Sequence, residues 1–239
     1  LWGHIGHVFK NTGRSLAASL FGSRLKGINA QVAPETKAYY QQISRLSSNF
    51  ALMADVCMAV FGGSLKKREK ISARLGDMLS HLYIASASLK YYEAQGRQAD
   101  ERPLLDKAVQ DNLHQAEQAL FAIYANLPNR LLAGALRLCT NFWGRVFPEA
   151  SDRLDRKICE PLMQNSPLRD RLTTACYIPQ QEHEAIAALE KALVLSIQAE
   201  PIEARIREDE KNGFFKGHPQ ANVRDIADLA YQLKRISEQ

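Results

Sequence analysis

Residues 50–93 read FALMADVCMAVFGGSLKKREKISARLGDMLSHLYIASASLKYYE, and this stretch decides the fold. An apolar helical pattern runs into Gly62-Gly63, a knot of cations follows at Lys66, Lys67, Arg68 and Lys70, and a second helical pattern carries Arg74 and Asp77. On the N-terminal side Pro34 suits the first turn of a helix. Tyr39, Ile43, Leu46, Phe50, Met53, Val56, Val60 and Phe61 then keep steps of three and four, the helical repeat. Gly62-Gly63 ends this helix by supplying a backbone conformation that other residues avoid. On the C-terminal side a helix is predicted from Ile71 to Gln95 on Leu75, Met78, Leu79, Leu82, Leu89 and Tyr92, stopped by Gly96. The next starts at Pro103, carries Leu105, Ala108, Val109, Leu113, Ala116, Leu120 and Ile123 inside, and ends at Pro128. Three long helices with short links, and no alternating strand pattern, predict an all-α, up-and-down bundle.

Outside this block the periodic segments shorten. Leu131 to Val146 reads as a basic helix, Asp152 to Gln164 as another, and Leu168 to Ala175 as a brief one. A long helix is predicted from Glu182 to Lys211, with Pro201 kinking or splitting it. Lys211 to Gln220 reads as an exposed loop, and Asn222 caps a terminal helix over 223–236. Ahead of Pro34, the residues Leu1, Ile5, Val8, Phe9, Leu16, Leu20 and Phe21 predict an amphipathic helix broken at Gly13. The expected organisation is a bundle at 1–128 with shorter helices at 129–239 packing on it, or one continuous domain.

The 239 residues suffice for a real core, and the chain begins at Leu1, which leads to the expectation of a piece of something longer. A net charge of +5 favours anionic partners without choosing among lipid, nucleotide and nucleic acid. Nucleic acid is disfavoured, because the excess is mild and no recognised binding module is visible. No stretch approaches the roughly 18 uninterrupted apolar residues of a spanning helix, and no signal-peptide pattern opens the chain. Cys57, Cys139, Cys159 and Cys176 form no CxxC pair and sit in helix-like apolar contexts. Reduced thiols in the cytoplasm follow as the expectation, with peripheral attachment at the inner membrane as a variant.

Nucleophile elbow, P-loop and Rossmann patterns are all missing. His4 and His7 share a helix face without a third ligand, so no metal site is expected, and His81 and His114 read as core-edge side chains. The Gly62 to Lys70 turn has two readings. Backbone N–H groups after the glycines, with Lys66, Lys67, Arg68 and Lys70, suit a phosphate or pyrophosphate. The alternative is a helix cap followed by a solvated loop. Gln118 to Pro148 holds Arg130, Arg137 and Arg145 with no carboxylate, beside Phe142, Trp143 and Phe147. This suits either a helix in an anionic bilayer interface or one packed on the bundle with arginines at its rim. Asp77, three residues after Arg74, is placed to pair with it.

VFGGSLKKREKISARLGDMLSHLYIAS resembles the C-terminal region of bacterial FadE-type long-chain acyl-CoA dehydrogenases. So do GHIGHVFKNTGRSLAASLFGSRL at 3–25, ANLPNR at 125–130, SDRLDRKI at 151–158, PLRDRLTTACYIP at 167–179 and AEPIEARI at 199–206, so the resemblance covers nearly the whole chain. It implies a helical domain that follows a flavin-dependent core. The parent oxidises long-chain acyl-CoA to trans-2-enoyl-CoA with FAD, the first step of fatty acid β-oxidation, and passes electrons to an electron-transfer flavoprotein. The central block is also similar to the flavin-side segment of ordinary acyl-CoA dehydrogenases, where a Gly-Gly turn precedes an Arg-Asp pair. Gly62, Gly63, Arg74 and Asp77 would be its remnants, but Gly76 stands where the arginine next to Asp77 is expected. The family's catalytic glutamate belongs to the upstream core and matches no residue here. The implied reading is a bundle without its own cofactor or catalytic residue, serving packing on the catalytic core of the same chain, homodimer contacts or membrane association. The alternative is a stand-alone helical module that binds anionic membrane surfaces.

Overall fold

The computed structural model describes residues 32–177, 184–214 and 223–232, together with Gly6, Gly13, Pro179 and Gln181. Its described residues form helices and connecting turns and contain no strand. Two compact units divide the chain, 1–158 and 159–239.

The first unit is built on three long helices, α1 (Pro34–Phe61), α2 (Glu69–Ala94) and α3 (Arg102–Asn126). Side-chain pairs between them fix their directions. Thr36 and Tyr40, near the start of α1, donate to Glu93 at the end of α2 at 3.1 and 3.0 Å. Tyr39 donates to Asp106 near the start of α3 at 2.7 Å. Halfway along α2 and α3, His81 Nδ1 meets Asn112 Oδ1 at 2.8 Å. The three helices therefore run up, down and up, as short links between amphipathic helices require.

Each helix buries one stripe. On α2 it is Ile71, Met78, Leu82, Ala85, Leu89 and Tyr92, and on α3 Leu105, Val109, Leu113, Ala116, Leu120 and Ile123. On α1 Ile43, Leu46, Met53, Cys57 and Phe61 share the inward face with Leu52, which the three-and-four spacing passes over. Leu79, expected inside, faces solvent. Residues 34–67 are, by length and mean hydropathy, long and apolar enough to cross a membrane. Here the apolar stripe of α1 packs into the bundle core. Gly62 closes α1 at φ +50°, ψ −133°, and residues 62–67 form a 3₁₀ turn into α2.

After α3, Asn129 caps α4 (Arg130–Thr140), its side chain accepting from Leu131 N and Leu132 N at 3.0 and 3.1 Å. This helix stops at Thr140, short of the Val146 predicted, because Asn141 leaves helical geometry and Gly144 turns the chain back at φ +78°. Ala133, Leu136 and Phe147 join the bundle core, so the division expected after Pro128 falls inside the first unit.

Helix α5 (Asp152–Leu162) carries the boundary between the units. The second unit contains α6 (Pro167–Thr173), α7 (Ala185–Lys211) and α8 (Val223–Gln232). Ser166 caps α6, and Arg169 holds α6 to α7 by donating to both Glu190 oxygens at 2.7 Å. Pro201 sits inside a continuous α7 instead of splitting it. Gly6 and Gly13 are both helical. The remaining residues of the predicted N-terminal helix, the Asn222 cap, residues 215–220 of the predicted loop, and 233–236 lie outside the described residues.

Candidate functional site

The return of the chain after α4 creates the most organised polar region of the bundle. Residues 141–147 fold back on α3, and Glu117 receives them. Its carboxylate accepts from Val146 N and Phe147 N at 3.1 Å and from Asn141 Nδ2 at 3.1 Å. Around it, Tyr124 is hydrogen-bonded to Thr140 and Asn141. Asn49 and Arg45 from α1 reach Thr140 O at 3.5 Å. His114 Nδ1 meets Phe147 O at 2.8 Å.

Burial sets the electrostatics of this network. It pushes the Glu117 carboxyl above the usual carboxylate range, an effect only partly offset by the backbone N–H groups of Val146 and Phe147 and the charge of Arg45. It lowers the Arg45 guanidinium, against the pull of Glu117. It raises the Tyr124 phenol. Arg45 Nε and Asn49 Oδ1 are buried with no hydrogen-bond partner among the described residues. With its oxygens facing the Val146 and Phe147 N–H groups and the Asn141 amide, Glu117 anchors a loop.

Glu117 was legible only as an anomaly. It sits on the apolar stripe of α3, four residues after Leu113 and three before Leu120. A carboxylate there is buried, and a buried carboxylate must be paired. Asn49, three residues after Leu46, carries the same signal on α1.

The anchored loop brings Arg145 to the outer face of α3 and α4. There an open groove of about 600 Å³ is lined by Gln118, Phe121, Tyr124, Arg130, Arg137 and Arg145 with alanines and a glycine between them. The Arg137 and Arg145 guanidiniums lie 5.4 and 5.0 Å from the Phe121 ring centroid. Arg130 donates to Ala125 O at 3.1 Å. The three arginines singled out by sequence thus converge. Apolar side chains are exposed nearby: Leu131 (85%) and Leu138 (56%) on α4, and Trp143 (71%) in the turn after it, with Phe142 edge-on against Trp143. Phe147 does not belong to this surface. It is buried in the bundle core, because its backbone is tied to Glu117 and His114.

The Gly62 turn gathers no such site. Lys66, Lys67, Arg68 and Lys70 are all exposed, and Arg68 rests over Phe61, 4.7 Å from its ring centroid. A Cβ added at Gly62, Gly63 or Gly76 would meet nothing within 4 Å, so the backbone there is an open turn and not a tight cradle. The turn's polar groups are spent locally: Ser64 donates to Phe61 O and Arg68 N to Leu65 O. Arg74 and Asp77 form no ion pair with each other among the described residues, since free rotation in water outweighs a weak exposed attraction. Among the described residues no group of three or more His, Cys, Asp or Glu could hold a metal. The thiols are free, with Cys57 buried but Cys159 and Cys176 exposed, not apolar filling as expected.

Fold and site define a class: an all-helical domain, with a buried polar anchor and a cationic groove on its surface. The family model for the bacterial-type acyl-CoA dehydrogenase C-terminal domain matches residues 1–239, and the chain belongs to that family. Its parent is accordingly an oxidoreductase. No solved structure matches the chain.

Proposed function

We propose that this chain is the non-catalytic C-terminal domain of an FAD-dependent dehydrogenase that converts long-chain acyl-CoA to trans-2-enoyl-CoA. The flavin and the proton-abstracting carboxylate belong to the catalytic core, and electrons leave to an electron-transfer flavoprotein. The observation that carries the non-catalytic reading is the open Gly62 turn, with its exposed cations and with Arg74 and Asp77 not paired to each other. Packing on the core or on a second copy is supported by α7, which leaves Ile186, Leu189, Val194 and Leu195 exposed; an apolar helix surface of this extent calls for a partner. The test is acyl-CoA oxidation with an artificial electron acceptor: the parent turns over, and the separate chain does not. Turnover by the chain alone contradicts the proposal.

A second reading has its own observation. Leu131, Leu138, Phe142 and Trp143 are exposed beside Arg130, Arg137 and Arg145, the arrangement of a helix lying in an anionic bilayer interface. We place the protein in the cytoplasm, with this face on the inner membrane. Co-sedimentation with anionic vesicles should be strong for the wild type and lost on Arg137→Glu plus Arg145→Glu. Indifference of the wild type to anionic lipid refutes it.

A further inference from the structure

The groove beside α4 gathers three arginines around one depression. Arg130, Arg137 and Arg145 line it, and no carboxylate does. No ion pair neutralises any of the three among the described residues. Like charges gathered around one depression repel, so each needs a holding interaction, and each has one. Arg137 and Arg145 share the Phe121 ring, a cation–π arrangement that leaves the guanidinium N–H edges free. Arg130 bonds a carbonyl in the last turn of α3, the negative end of the helix dipole. The nearby carboxylate that acts on Arg145, Glu117, is buried, with its oxygens committed to Val146, Phe147 and Asn141. The guanidiniums are therefore pre-positioned, and no ion pair occupies their outward edges among the described residues.

We infer that this groove is a binding site for the phosphate group of an organic phosphate, clamped by Arg137 and Arg145 with Arg130 at the rim. Forked guanidinium donors match phosphate oxygens in pairs, which a lysine cannot do. A volume of about 600 Å³ leaves room beyond the phosphate for an organic group of nucleotide size. Phosphate chemistry is shared by soluble phosphomonoesters and by phosphatidate headgroups, and the site stands whether or not the exposed Leu131–Trp143 face meets a membrane.

The experiment is calorimetric titration of the full chain with inorganic pyrophosphate, at constant ionic strength and without competing oxyanions. Saturable one-to-one binding is expected, weakened about tenfold or more by Arg137→Gln and by Arg145→Gln, and less by Arg137→Lys, which keeps the charge without the fork. The combined Lys66→Gln, Lys67→Gln, Lys70→Gln variant should bind as the wild type does, and unchanged circular dichroism establishes that each variant is folded. Separate titrations with adenosine monophosphate and with phosphatidate vesicles identify the source. Arginine-dependent binding of either supports the site, and a Leu131→Gln, Trp143→Gln variant that loses vesicles but keeps pyrophosphate separates it from bilayer contact. Non-saturable heats, or loss of binding in the lysine variant instead of the arginine variants, overturn it.

Discussion

Replacing Glu117 by alanine should destabilise the bundle by about 3 kcal/mol. The substitution strips the acceptor from Val146 N–H, Phe147 N–H and Asn141 Nδ2. Val146 is half-buried and its N–H can regain water, whereas Phe147 and Asn141 are only 8% and 2% exposed. An orphaned buried donor costs about 1–3 kcal/mol, so two give a few kcal/mol, with water entering the vacated space holding the sum near the lower half. Arg45 also loses the nearby carboxylate charge that favours its protonated form, but no direct ion pair joins the two, so a full buried-pair penalty is not added. Glu117→Gln keeps one acceptor oxygen and should lose about half as much. In urea unfolding, with an m-value of about 2 kcal/mol/M, the alanine variant's midpoint should fall by about 1.5 M. The double variant Arg45→Met, Glu117→Leu should recover about 1 kcal/mol relative to the sum of its single changes. A loss below about 0.5 kcal/mol for Glu117→Ala, the ordinary effect of a surface change, would refute the anchoring role.

Two carboxylates should give opposite pH dependences. Burial holds Glu117 above its ordinary value, so its contribution is complete below the unfolded carboxylate pKa and is lost as pH rises through the folded one. The stability of wild type relative to Glu117→Gln should then decline with rising pH. Burial also raises Glu93, but hydrogen bonds from Tyr40, Thr36 and Lys90 outweigh it and leave the carboxyl below its ordinary value. Its contribution is present above the unfolded pKa and lost as pH falls through the folded one, so the advantage over Glu93→Gln should grow from acid to neutral pH; paired urea melts across pH 3 to 7 check both signs. Gly62→Ala should cost about 1–3 kcal/mol at its positive φ, while Gly63→Ala, with open space and no such φ, should stay within about 0.5 kcal/mol; thermal melts compare them. Disulfide-exchange labelling of native protein should modify exposed Cys159 and Cys176 first. Cys57, whose thiol burial pushes up to about 11, should react only after denaturant.

The helices of the bundle were readable because their signals are local. Pro34 and Gly62 bracket α1, and the stripes of α2 and α3 keep the helical period. The convergence of Arg130, Arg137 and Arg145 was foreshadowed by an acid-free stretch, although its shape was not. That shape depends on Asn141 ending α4 early and on Gly144 turning the chain, so that Arg145 returns to Phe121 instead of continuing along a helix. Phe147 was misplaced for the same reason: periodicity puts it on a surface, and two backbone hydrogen bonds, to Glu117 and His114, draw it inward. Arg74 and Asp77 show the converse limit. Spacing can bring two charges to one face, but at the surface it does not compel them to pair.

The central claim is that this domain holds no flavin of its own. The visible absorbance of the purified chain, after incubation with excess FAD and removal of free cofactor, tests it most directly. A colourless protein is the predicted result, and a stoichiometric flavin band that survives the removal step would contradict the account.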